Sequence, residues 1–395
     1  VCVTENRVLG VVGFMTQWRS SWQLKNHQTH MVCLDMQSGD LLWDTQPQKL
    51  DPSLEEVFFH GTPLADDRRV YALMRRSQNS GFHTVYLAAL DITDGRLLWK
   101  RHLASAAMGN HNRTYALGEM SLYQGQVYVT DNLGTISAID GLTGDMLWLV
   151  MLDRSGDSQD VQPKPLVAQR RRITTSASRP APIVTSKKVL ISPAWANESA
   201  QVIDRLTGNP LRQLDAKGFD TGCQLTLTEE GLLSVDRVVR MFDADTFEQK
   251  WERKLSSITD KDKPQFIVHH DKVMIQGKGK LYMINLKDGL VEKELPFDQD
   301  GVILTADQQW IISRDDELVS LMRWDDAYNQ LAARIERYPD QTWPGLALSH
   351  LAVGRRQWET ALQGIDAAID SIQLSPGIPS NSSQQYQVQQ VSLLH

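Results

Sequence analysis

The chain has 395 residues, 41 Lys and Arg against 48 Asp and Glu, a net charge of −7 and 41% hydrophobic residues. That length allows one large domain with an appendage, and the negative balance argues against nucleic acid as the main partner. No stretch approaches the ~20 apolar residues of a membrane-spanning helix, and three scattered cysteines, Cys2, Cys33 and Cys223, make no disulfide framework.

From the N-terminus onward one phrase recurs: an apolar strand ending in Asp, a Gly four residues later and a Trp four residues after that. It reads Asp35, Gly39, Trp43, then Asp91, Gly95, Trp99, then Asp140, Gly144, Trp148. Partial copies follow at Asp204 and Gly208, at Asp243 and Trp251, and at Asn285 and Gly289. Steps between the Asp or Asn positions are 56, 49, 64, 39 and 42 residues. The short steps fit one four-stranded propeller blade, and the long ones carry insertions.

The text before each Asp supports this. Phe59–Ala65, the polar turn Asp66-Asp67-Arg68 and Val70–Leu73 make a hairpin pattern, as do Ala181–Val184 with Val189–Ile191 and Phe266–Val268 with Val273–Ile275. Pro63 and Pro182 are expected near strand starts, where a missing N–H is tolerated. The Asp can accept backbone N–H groups within its turn, Gly supplies positive φ, and Trp buries a large flat area between blades.

The form Ala-x-Asp-x-x-Thr-Gly-x-x-x-Trp, complete at Ala138–Trp148, resembles the repeat of the PQQ-like (quinoprotein alcohol dehydrogenase-like) β-propellers. That superfamily includes quinoprotein dehydrogenases and the propeller lipoprotein of outer-membrane protein assembly. The resemblance covers residues 1–323 and implies an all-β fold, a β-propeller of four-stranded blades, seven or eight in number. It also implies the periplasm or cell envelope. The seventh unit, ending at Leu318–Leu321, has three strands, and the chain opens on Val1 inside a strand. A closing strand or an eighth blade is therefore expected upstream.

From Trp324 the period turns helical, with Pro339 breaking the first helix. Trp343-x-x-Leu346-Ala347, Gly354, Trp358-x-x-Ala361, Ile365 and Ala368 resemble a tetratricopeptide unit over residues 324–374, with a generic helical hairpin as the alternative. Residues 375–395, rich in Ser and Gln, read as a disordered linker or tail.

No catalytic, metal or cofactor motif stands out. The quinone enzymes of the resembled superfamily use vicinal cysteines, a calcium site and a catalytic Asp, and no adjacent cysteines occur here. No cofactor is expected, PQQ with calcium included. His269-His270, Asp66-Asp67, Asp315-Asp316 and Gly277-Lys278-Gly279 read as turns, and Arg170-Arg171-Arg172 as a solvated loop. The long segments Gln17–His30, Arg75–His83, Leu103–Tyr115 and Asp153–Arg179 all fall in connections on one face of the first four units. They carry the candidate interface residues Trp18, Trp22, Arg75, Arg76, His111 and Arg113. The reading is a non-catalytic scaffold for protein–protein contact, a module of a larger envelope or assembly protein. A PQQ-dependent dehydrogenase and a small-molecule or glycan-binding propeller are the alternatives.

Overall fold

The computed structural model describes residues 1–4, 6–14, 28–36, 38–77, 82–107, 118–131, 133–152, 180–193, 199–214, 218–219, 223–256, 258, 264–297, 302–306, 309–313 and 318–374. The chain forms two compact units, Val1–Glu252 and Arg253–His395.

Among the described residues the first unit holds five four-stranded antiparallel sheets, in each of which every strand pairs with the next in sequence. They are β1–β4 (Cys2–Val3, Arg7–Phe14, Gln28–Asp35, Leu41–Thr45), β5–β8 (Val57–Ala65, Arg69–Ser77, Phe82–Asp91, Leu97–Ala107) and β9–β12 (Glu119–Tyr123, Gln126–Thr130, Thr135–Asp140, Met146–Met151). Next come β13–β16 (Ile183–Val184, Lys188–Ile191, Ala200–Asp204, Pro210–Leu214) and β17–β20 (Gln224–Thr228, Gly231–Val235, Val238–Phe242, Gln249–Lys254). A one-turn helix, α1 (Pro47–Leu50), lies between the first two sheets in sequence.

The core sits between consecutive sheets, which is why the middle strands are apolar on both faces. In β6, Val70, Ala72 and Met74 pack with Leu9, Met31 and Trp43 of the first sheet. Tyr71 and Leu73 of the same strand pack with Val127, Val129 and Ile139 of the third. Similar clusters join the third sheet to the fourth and the fourth to the fifth. Stacked four-stranded meanders of this kind are propeller blades.

The repeated phrase holds the blades together through two contacts. Its Asp organises the turn from strand three to strand four: Asp140 Oδ1 accepts the N–H groups of Leu142 at 2.9 Å and Thr143 at 2.8 Å, and Gly144 N–H donates to the Asp140 carbonyl at 2.8 Å. Backbone bonds from the Gly position recur at Asp35, Asp91, Asp204 and Asn285. Gly39, Gly95, Gly144, Gly208 and Gly289 have φ between +69° and +76°. The Trp then lies on the turn of the following blade. A Cβ on Gly95 would be 2.6 Å from the Trp43 ring, one on Gly144 2.6 Å from Trp99, and one on Gly208 2.9 Å from Trp148. Each indole N–H donates to a carbonyl beside that turn: Trp43 to Ile92 at 3.0 Å, Trp99 to Gly141 at 3.2 Å and Trp148 to Arg205 at 2.9 Å. Glycine is thus required for its backbone and again for the flat side chain stacked on it.

Between the fourth and fifth blades the roles are exchanged. Arg212 stands where the Trp would be, and Phe247, at φ +57°, stands where the Gly would be. The Arg212 guanidinium lies 5.2 Å from the Phe247 ring centroid, so a cation on an aromatic face replaces an indole on a glycine.

Two strand readings change. β5 begins at Val57 and carries a register shift between His60 and Leu64, so Pro63 sits in a bulge rather than near a strand start. The expected loop at Arg75–His83 is mostly strand: β6 and β7 pair out to Ser77 and His83.

The second unit holds β21–β24 (Gln265–His269, Lys272–Gly277, Lys280–Asn285, Val291–Pro296) and, among the described residues, a three-stranded sheet β25–β27 (Val302–Ala306, Gln309–Ser313, Leu318–Met322). Three helices follow, α2 (Trp324–Arg337), α3 (Thr342–Gly354) and α4 (Trp358–Leu374). Asp325 and Asp326 open α2 and Arg334 and Arg337 close it, matching the helix dipole. α3 and α4 pack backbone to backbone: a Cβ on Gly345 would be 2.5 Å from the Gly364 carbonyl oxygen. No helix among the described residues is long and apolar enough to cross a membrane.

Candidate functional site

The outer strands of blades two, three and four meet around a groove of about 980 Å³. Its walls are Ala104–Ala106 at the end of β8, Leu133–Thr135 and Val150–Leu152 flanking β11 and β12, and Gln201, Val202 and Pro210–Gln213 of β15 and β16.

Each local pattern explains its wall. β12 alternates, with Trp148 turned into the core at 8% exposure while Leu147, Leu149 and Met151 face outward, Met151 at 80%. Leu211 of β16 is half exposed. β8, β12 and β16 are each the last strand of their sheet, so one backbone edge of each has no partner within it. Arg212 is the one charged side chain in the lining among the described residues, and it is engaged with Phe247 and the Thr246 carbonyl. Among the described residues the lining contains no carboxylate, His, Cys or Lys. The groove's polar groups among the described residues are the hydroxyls of Ser105 and Thr135, the amides of Gln201 and Gln213 and the Arg212 guanidinium. What it presents is apolar surface beside open strand edges, the features that take up an extended polypeptide.

Of the candidate interface residues, Arg75 and Arg76 are described and neither lines the groove. Trp18, Trp22, His111 and Arg113 lie outside the described residues. Arg75 is a correction: it is 1% exposed, because it continues the blade-three face of β6 after Tyr71 and Leu73. Arg76 is half-buried and donates to the Ser53 and Glu55 carbonyls at 2.5 and 3.1 Å, bracing the connection from blade one.

Arg75 shares its sheet face with two buried histidines. His60 pairs with Leu73, one step along from Arg75, and His83 pairs with Ser77, one step the other way. Burial, reinforced by the Arg75 charge, lowers His60 to about 3 and His83 to about 4. Both are neutral at physiological pH, and neither ring nitrogen of His60 has a partner among the described residues. The signal for this group was a His inside the apolar run Val57–His60.

The chain has no adjacent cysteines, Cys2, Cys33 and Cys223 are free thiols, and no group of three or more His, Cys, Asp or Glu among the described residues could hold a metal ion.

Stacked four-stranded meanders joined by a Trp-on-Gly contact define a β-propeller repeat protein. Residues 23–219, just under half of the chain, match the family described as "Outer membrane protein assembly factor BamB". A curated relative of that description from Kangiella koreensis is 26% identical over 121 residues, which are 30% of this chain and 26% of the relative. The match thus spans about a quarter of the relative's length. Among solved structures, BamB from Moraxella catarrhalis has a TM-score of 0.49 at 14% identity, covering 80% of this chain and 82% of that one. A europium-containing methanol dehydrogenase has a TM-score of 0.38 at 14% identity, covering 60% and 51%.

Proposed function

We propose that this chain is a non-catalytic scaffold for protein–protein contact in the assembly of outer-membrane proteins, working in the cell envelope. The observation that carries the reading is the groove over blades two to four, largely apolar and flanked by open strand edges. The family match over residues 23–219, with its description as an assembly factor, supports the setting. The partner in this reading is a polypeptide, held by side chains such as Met151 and Leu211 and by backbone pairing along β12 or β16. No cofactor has a part in it.

The test compares partners recovered with the unaltered chain and with a Met151→Lys/Leu211→Lys variant. Both positions are exposed, so the variant should keep its stability within about 0.5 kcal/mol. Loss of the bound polypeptide with the fold intact is the expected result, and an unchanged set of partners would remove the groove from the interface. In parallel, the chain incubated with PQQ and calcium should acquire no bound chromophore and reduce no dye with alcohols.

A further inference from the structure

The last helix carries a second uncovered surface. Ala361, Gly364, Ala368 and Ser371 of α4 are buried, and Gly364 meets Gly345 of α3 backbone to backbone. Next to this row runs another, Trp358, Leu362, Ile365, Ile369 and Ile372, with exposures of 61, 60, 40, 48 and 63%. Its spacing alternates four, three, four, three. That is the seam of a coiled coil, a narrow line of knobs that fits the side of another helix. On α3, Leu346 and Val353 are also exposed and stand one heptad apart. The helical repeat places them on the side of the hairpin that the α4 seam faces.

On the far side of the seam from α3 runs a third row, Glu359, Asp366 and Asp370, all exposed. None of the three has an ion-pair partner among the described residues. α4 has no basic residue along its 17 positions. The nearby arginines, Arg355 and Arg356, lie in the turn before it, with Arg355 over the Trp324 ring at 5.6 Å. These charges choose the occupant. A second copy pairing antiparallel, seam to seam, would bring acidic row against acidic row, and an anionic lipid surface would meet the same repulsion. A helix with Lys or Arg beside its own apolar seam would gain an attraction along the whole contact.

We propose that the α3–α4 hairpin is a docking surface for an amphipathic helix of another protein, with apolar residues at alternating three- and four-residue spacing and a basic flank. This surface is separate from the blade groove and stands whether or not that groove binds a polypeptide.

The experiment uses the full chain and two labelled synthetic helices with the same Leu seam, one flanked by Lys and one by Glu, followed by fluorescence anisotropy. The Lys helix should bind at least about tenfold tighter than the Glu helix, and the gap should shrink as salt is raised. Ile365→Asp/Ile369→Asp should abolish binding without changing helicity or Tm, and Glu359→Lys/Asp366→Lys/Asp370→Lys should reverse the preference. Equal binding of the two helices, or binding of neither, overturns the proposal. So does a concentration-dependent dimer dissolved by Ile365→Asp/Ile369→Asp, which would give the surface to a second copy. Binding to phosphatidylglycerol vesicles lost in the same variant would give it to a membrane and equally overturn the proposal.

Discussion

At the residue scale, glycines with nearly the same backbone carry different loads. Gly39 and Gly144 have φ of +76° and +75°, yet a Cβ on Gly39 meets nothing within 4 Å while one on Gly144 runs into Trp99 at 2.6 Å. Gly39→Ala should therefore cost roughly 1 kcal/mol for left-handed backbone alone, and Gly144→Ala roughly 3 kcal/mol or more. Equal losses in urea denaturation would show that the stacked indole yields freely. The buried histidines give a pH signature. Their folded pKa values, about 3 for His60 and about 4 for His83, lie below the ordinary 6.5. Below pH 6.5 the unfolded chain takes protons that the folded one refuses, so stability is full above that pH and falls as pH drops toward 4. Each histidine contributes up to about 1.4 kcal/mol per pH unit, on the order of 4 kcal/mol for the pair at pH 5. Calorimetry at pH 7.5 and pH 5 should show the drop, and His60→Leu should flatten it. An unchanged slope in that variant would mean that His60 is solvated.

At the scale of elements, the joint between blades is the unit of stability. Trp148 is 8% exposed and spans the third and fourth blades, so Trp148→Ala should cost roughly 3–5 kcal/mol. The exchanged joint offers a sharper test. Arg212→Trp alone would press an indole against Phe247, whereas Arg212→Trp with Phe247→Gly rebuilds the pair found at Trp148 and Gly208. A double-mutant cycle should give a favourable coupling above about 1 kcal/mol, and additive effects would mean that the two positions are independent. These joints were readable in advance because Asp, Gly and Trp recur at fixed spacing and act through backbone geometry. Arg75 was misread because a charge after the run Val70–Met74 looks like the start of a loop. Only the pairing of β6 with β7 shows that the strand continues inward.

For the whole molecule, the propeller class was legible from the period, and the change to helix at Trp324 coincides with the start of α2. The compact units divide instead at Glu252 and Arg253, inside the fourth strand of the fifth sheet, a place where no composition shift marks a boundary. The groove was hidden for a different reason. Ala104, Met151 and Leu211 belong to three outer strands far apart in sequence, and only the stacking of blades brings them to one cavity.

The central claim is that this groove receives a polypeptide. A photo-crosslinking residue placed at Met151 or Leu211 tests it, with Leu142 and Leu206 as controls, both exposed and both in the turns at the other end of the strands. Protein adducts are expected from the two groove positions and none from the two turn positions. Adducts from Leu142 and Leu206 alone, or none from Met151 and Leu211, would contradict it.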